Sequence, residues 1–175
     1  MAVIAKIGVL EHRGKVRTPE GVFEVGRPVD GWYPVGGPPA EGPGRVRYNP
    51  DREVLDIARP GSSLSIAFRP DVERTVFEFR GHRYEVASMD FGNVLIREGS
   101  QLVVRGHVTI GGVRLVSVAP DLLPIERELA FGLALRGSAL DEDYWRDEHV
   151  LTEWSKQQVE DLALHEDKRR RHEDG

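Results

Sequence analysis

Six arginines in the second half of the chain, Arg74, Arg80, Arg83, Arg97, Arg105 and Arg114, fall at the ends or polar-face positions of strand-like runs. A guanidinium presents planar, paired donors that match phosphate and carboxylate oxygens, so several on one surface would make an anion site. Glu73, Glu78, Glu85 and Glu98 interleave with them, which is equally the pattern of an ordinary charged exterior. Trp32 and Tyr33 are the other binding candidates. They stand in residues 26–44, a stretch with six Gly and five Pro. A loop of that length in a compact domain is either a mobile connection or a flap that touches a ligand or partner.

Other chemistry is poorly supplied. The six His are His12, His82, His107, His149, His165 and His172, and none forms a His-x-His or His-x-x-x-His pair. A metal site would need assembly across strands, and none is expected. His82 and His107 each adjoin a Gly at a turn and read as exposed; His165 and His172 read as part of a solvated tail. The absence of Cys excludes disulfides, thiolate zinc sites and a thiol nucleophile. No nucleophile elbow, Walker loop or dinucleotide fingerprint occurs. Gly36-Gly37 and Gly42-Pro43-Gly44 are broken by proline and precede no helix, so they cannot cradle a phosphate. Glu126 and Glu128, two apart on a helix, diverge by ~200° and cannot work as an acid–base pair. They suit the helix dipole and ion pairs with arginines at a barrel mouth. No cofactor or catalytic residue is indicated; the reading leans toward a binding protein, with an enzyme whose site is assembled from scattered side chains left open.

The net charge of −5 is unevenly placed. Residues 1–120 carry 16 Lys/Arg against 14 Asp/Glu, and residues 121–175 carry 8 against 15. A weakly basic β portion followed by an acidic tail lacks the concentrated basic face expected for nucleic acid, so no nucleic-acid partner is expected. Residues 1–10 are apolar but interrupted by Lys6 and read as a strand, not a signal peptide. A cytoplasmic location, peripheral to a membrane if the anion site is real, follows from this reading.

What must position these residues is mostly sheet. Strand-like runs cover 3–10, 15–18, 22–25, 45–48, 53–58, 63–68, 74–80, 82–88, 94–97, 101–105, 107–110 and 113–118. Leu64, Ile66 and Phe68 alternate with Ser63, Ser65 and Ala67, the period-two signature of one buried and one wet face. Turn residues stand between the runs, with tight hairpins at Arg80-Gly-His82 and at Ile110-Gly-Gly-Val113. No helix interrupts them, so the strands must be antiparallel. Residues 121–136 then read as a helix: Asp121 or a neighbour to cap, Pro124 in the first turn, Arg136 and Gly137 at the end. From Leu129 to Leu135 every residue is apolar or Gly, so the helix has no wet face and must be buried all round. A barrel of about twelve strands has room for it along the axis. The alternative is a sandwich capped by the helix. Residues 1–140 therefore form one β domain, 141–165 a peripheral helix with Tyr144, Trp145 and Trp154 on an apolar stripe, and 166–175 a disordered charged tail.

The stretch Phe77-Glu-Phe-Arg-Gly-His-Arg-Tyr-Glu-Val86, then Phe91-Gly-Asn-Val-Leu-Ile96, then the apolar helix, resembles the C-terminal half of the tubby C-terminal-like superfamily. The likeness is to its small LURP-one-related and YxjI-like members, over residues 74–137. The resemblance implies a twelve-stranded barrel around a hydrophobic helix and a binding role at phosphoinositides or membranes. It transfers no lipid-site residue by position. Glu126-Arg127-Glu128 near the helix start, the long loop and the residues after the helix depart from the pattern. Two functions are carried forward. One is a non-enzymatic module for an anionic membrane surface or small anionic ligand. The other is a structural or interaction protein whose C-terminal Trp145/Trp154 helix binds a partner or a second copy of the chain.

Overall fold

The computed structural model describes residues 2–8, 13–36, 44–69, 74–89, 92–109 and 111–146. The chain divides into two units, Met1–Ala139 and Leu140–Gly175. The first is a nearly closed antiparallel barrel of twelve strands. They are β1 (Val3–Gly8), β2 (Arg13–Thr18), β3 (Gly21–Val25), β4 (Tyr33–Val35), β5 (Gly44–Asn49) and β6 (Val54–Arg59). The second half supplies β7 (Ser62–Ala67), β8 (Val76–Phe79), β9 (His82–Met89), β10 (Val94–Glu98), β11 (Gln101–Thr109) and β12 (Gly112–Val118). Their spatial order is β7-β6-β5-β4-β3-β2-β1-β12-β11-β10-β9-β8. Two meanders, β1–β7 and β8–β12, thus lie side by side through the β1–β12 ladder, where Val3 faces Leu115 and Lys6 faces Gly112. The free edges, β7 and β8, come together on the far side.

Alternation decides which side chains face inward. Leu64 and Ile66 on β7, Phe77 and Phe79 on β8, and Val94 and Ile96 on β10 are buried. Their odd-numbered or even-numbered neighbours, such as Ser63, Ser65 and Glu78, are exposed. The Arg80-Gly81 hairpin has both residues at positive φ, 50° and 80°, as a type I′ turn requires.

A 3-10 segment, Pro120–Ile125, leads from β12 into α1, Glu126–Arg146. Leu129, Ala130, Phe131, Leu133 and Ala134 are fully buried. Their neighbours come from opposite sides of the sheet. The Phe131 ring lies against Gly14 of β2, where no Cβ would fit, and 5.4 Å from the Tyr33 ring of β4. A Cβ on Gly132 would fall 2.7 Å from Leu55 of β6, and one on Gly137 would fall 3.1 Å from Val108 of β11. The helix from Glu126 to Gly137 therefore lies inside the barrel, and its small residues mark where the wall comes closest.

Three expectations need correction. The helix does not end at Arg136-Gly137: Gly137 is an interior position whose missing side chain admits Val108, and the residues after it are adequate helix formers. Asp121 does not cap, since no side-chain cap bond forms and its first turns are 3-10 rather than α. Residues 26–44 are not one loop, because Val29 and Trp32 bridge across the turn Asp30-Gly31 and β4 follows. The remainder of the expected 141–165 helix beyond Arg146, the tail 166–175, and loop residues 37–43 lie outside the described residues, as do the side chains of Tyr144 and Trp145 and all of Trp154. Among the described residues no helix is long and apolar enough to cross a membrane.

Leu133 tests this packing. Its truncation to Ala should cost about 2–5 kcal/mol in urea unfolding, since a cavity inside a closed wall cannot collapse. A loss below about 1 kcal/mol would show that the helix is not enclosed.

Candidate functional site: a basic face on four adjacent strands

The six arginines lie on or beside β8 to β12, most of them interleaved with acids. Arg83 sits opposite Glu78 on the β8–β9 ladder, and Arg97 Nη2 lies 3.8 Å from Glu85 Oε1. Arg80 folds over the Phe79 ring at 5.3 Å. Arg74 is exposed ahead of β8. Only Arg105 on β11 and Arg114 on β12 occupy neighbouring strands that lack acids. Trp32 and Tyr33 also part company, because adjacent strand residues face opposite ways. Tyr33 points inward onto Phe131, whereas Trp32 lies outside, with the Arg45 and Arg47 guanidiniums 5.1 and 4.4 Å from its ring. Arg47 is in turn tied to Asp56 at 2.9 Å on the next strand, so this aromatic belongs to a paired surface ladder.

What the fold does assemble is a different basic surface. Strands β2, β1, β12 and β11 are consecutive in the sheet, and none contains Asp or Glu. Their outward positions carry Lys15, Arg17, Lys6, Arg114, Arg105 and His107, all exposed. The ladders place them in rows: Val22, Arg17, Ile4, Arg114 and His107 lie opposite one another from β3 to β11. Lys15 stands directly opposite Lys6, an arrangement that costs stability because like charges repel across a ladder. The nearest relief is Glu24 on β3, 3.6 Å from Lys15. Exposed Val22 and Val116, at 53% and 47%, add apolar surface to the same region. The chain's charge totals concealed this face, because two of its strands come from the first eighteen residues and two from residues 101–118. The readable signal was the absence of any acid between Gln101 and Pro120.

The mouth where α1 enters holds a second polar group, inside the wall. Glu128 is almost fully buried and lies 3.5 Å from Arg59 at the end of β6, the mouth arginine pairing expected of it. Arg127 is buried, with its guanidinium 4.5 Å over the Phe23 ring and Nη1 without a hydrogen-bond partner among the described residues. At the far end of the interior, Arg136 Nη1 donates to Tyr48 Oη at 2.5 Å and to Glu53 Oε1 at 2.8 Å, beside Phe68. These groups fix how deep the helix sits, since sliding it would strand buried charges.

Comparison with family models, with curated proteins and with solved structures returns no match.

Glu126 gives the mouth a pH signature. Burial first, then the Glu20 carboxylate, raise its pKa above the ordinary value, with Arg127 opposing and Glu128 adding to the rise. Its own backbone N–H already bonds Leu123 O. A carboxyl with a raised folded pKa weakens folding when ionised, and the penalty fades as pH falls through its folded pKa. Glu126→Gln should raise the melting temperature at neutral pH, with the gain closing as pH falls toward about 4. A variant no more stable than the parent at neutral pH would contradict this.

Proposed function

We propose that this protein is a non-enzymatic binding module whose basic face, on β2, β1, β12 and β11, seats on an anionic lipid surface. The observation that carries the reading is four adjacent strands without a carboxylate, presenting Lys6, Lys15, Arg17, Arg105 and Arg114 outward. The Lys6–Lys15 opposition supports it, because like charges facing each other across a ladder cost stability and a binding role accounts for them. A surface fits better than a small anion. The row from Arg17 to His107 crosses four strands, about 14 Å on the outside of a barrel, so its charges address several headgroups and not one phosphate. Each basic residue near an anionic leaflet contributes about 1 kcal/mol, within a Debye length of about 10 Å. Five together supply a reversible, salt-sensitive attachment, to which Val22 and Val116 add contact with the interface. The resemblance to small tubby-like barrels points the same way.

Sedimentation with vesicles tests it. Phosphatidylcholine vesicles containing phosphatidylserine should retain the protein at low salt and release it as salt rises, while neutral vesicles should not hold it. Lys6→Ser, Arg17→Ser and Arg114→Ser together should weaken retention roughly a hundredfold. Arg80→Ser, Arg83→Ser and Arg97→Ser together should leave it nearly unchanged. Equal retention by neutral vesicles, or equal losses in the two triple variants, would end the proposal. Retention by duplex DNA with none by anionic vesicles would replace lipid with nucleic acid as the partner.

A further inference from the structure

We propose that His82, Glu98 and Asp121 form a binding site for a divalent transition ion at the mouth of the barrel, with the buried Tyr84 ring stacked beside His82. The four residues come from three elements. His82 opens β9 just after the Arg80-Gly81 hairpin, and Glu98 closes β10 just before the Gly99-Ser100 turn. Asp121 is the second residue of the 3-10 segment that delivers the helix. One ligand atom from each of His82, Glu98 and Asp121 lies within 4.8 Å of the other two.

Parity is the first argument. Along β10 the inward positions are Val94 and Ile96, and Glu98 is the next of that series. Along β9 Tyr84 is buried, and His82 lies two residues before it on the same side. Both polar side chains therefore stand where the alternation calls for apolar ones, at the rim of the interior. A residue that breaks the local pattern without a packing gain marks a site more often than a structural need.

Tyr84 is the second, independent observation. It is 1% exposed, and its hydroxyl has no hydrogen-bond partner among the described residues. Its ring lies between those of Phe77, at 5.2 Å, and His82, at 6.2 Å. A buried, unpaired hydroxyl costs about 1–3 kcal/mol, and a bound ion with its water would give it a partner.

A plain His–Glu ion pair explains less. His82 Nδ1 and Glu98 Oε1 are 2.6 Å apart, and that contact alone would satisfy those two groups. It leaves a second carboxylate, Asp121, in the cluster with no Lys or Arg ion pair among the described residues, and it leaves Tyr84 unpaired. A dication balances both carboxylates around a neutral imidazole. One nitrogen and two oxygens suit Zn2+ or Mn2+ at about 2.0–2.2 Å, so His82 Nδ1 and Glu98 Oε1, 2.6 Å apart, need to open slightly to admit the ion. Three protein ligands leave a position for water. The bound ion would fasten the 3-10 segment to β9 and β10.

The test uses the full chain, stripped with a chelator and titrated with Zn2+ by calorimetry. One ion per chain should bind, and binding should raise the melting temperature. His82→Ala and Asp121→Asn should each abolish the single-site isotherm, and Tyr84→Phe should weaken it about tenfold. Circular dichroism confirms that each variant is folded, and substitution with Co2+ gives a visible spectrum that His82→Ala should alter. His165→Ala with His172→Ala should change nothing. Absence of stoichiometric binding, binding that survives His82→Ala, or binding lost with the tail histidines would each overturn the site. None of these outcomes bears on vesicle retention.

Discussion

Seven consecutive residues of α1, 129–135, carry no polar side chain, and that run sets the rest of the architecture. A helix apolar on every face has no stable position at a surface, where some of it would stay wet. It must be surrounded, and an antiparallel sheet can surround it only by curling until its edges approach. Eight strands would fill their own interior; twelve leave an axial channel. The fit is then made by small residues. Gly14 makes room for Phe131, and Gly132 and Gly137 let the wall come close at Leu55 and Val108.

Apolar packing alone would let such a helix slide or rotate, because Leu and Val contacts are nearly interchangeable. Its polar residues remove that freedom. Glu128 meets Arg59 at one end and Arg136 meets Tyr48 and Glu53 at the other. The two sites are eight residues apart on the helix and are matched by the ends of β5 and β6. A shift by one turn would leave charges buried without partners, a penalty of several kcal/mol. The interior ion pairs act as register marks for the plug rather than as sources of net stability.

The barrel and its central helix were legible because they rest on local signals, period-two alternation and an unbroken apolar run. The count of twelve strands came out right through two compensating differences. Residues 101–105 and 107–110 read as two strands, yet β11 is continuous through Gly106, where the ladder to β12 shifts register and the Arg114 carbonyl leaves no room for a Cβ. A glycine there serves close approach, not a turn. Conversely, Tyr33-Pro34-Val35 pairs with β5 despite its proline, because Pro34 needs no ladder hydrogen bond where the strand is this short. The basic face was illegible for a topological reason. It straddles the β1–β12 ladder, and nothing within either segment announces that residues 3–8 will lie beside residues 112–118. The His82, Glu98 and Asp121 cluster escaped notice likewise, since sequence spacing within one strand or helix is the only metal signal a single chain displays.

That same β1–β12 ladder bears on how the chain reaches this state. Val3 and Leu115 pair across more than a hundred residues of intervening chain, and the loop-closure entropy for such a contact must be met before it returns any energy. During synthesis, β1 leaves the ribosome first and waits, with one backbone edge unpaired, until β12 has emerged. The apolar stretch that fills the barrel comes later still. Until then, the twelve strands face a hollow they cannot fill, an aggregation-prone intermediate of the kind that chaperones hold. Barrel closure is therefore a late and slow event, governed by the arrival of the last strand and the helix behind it.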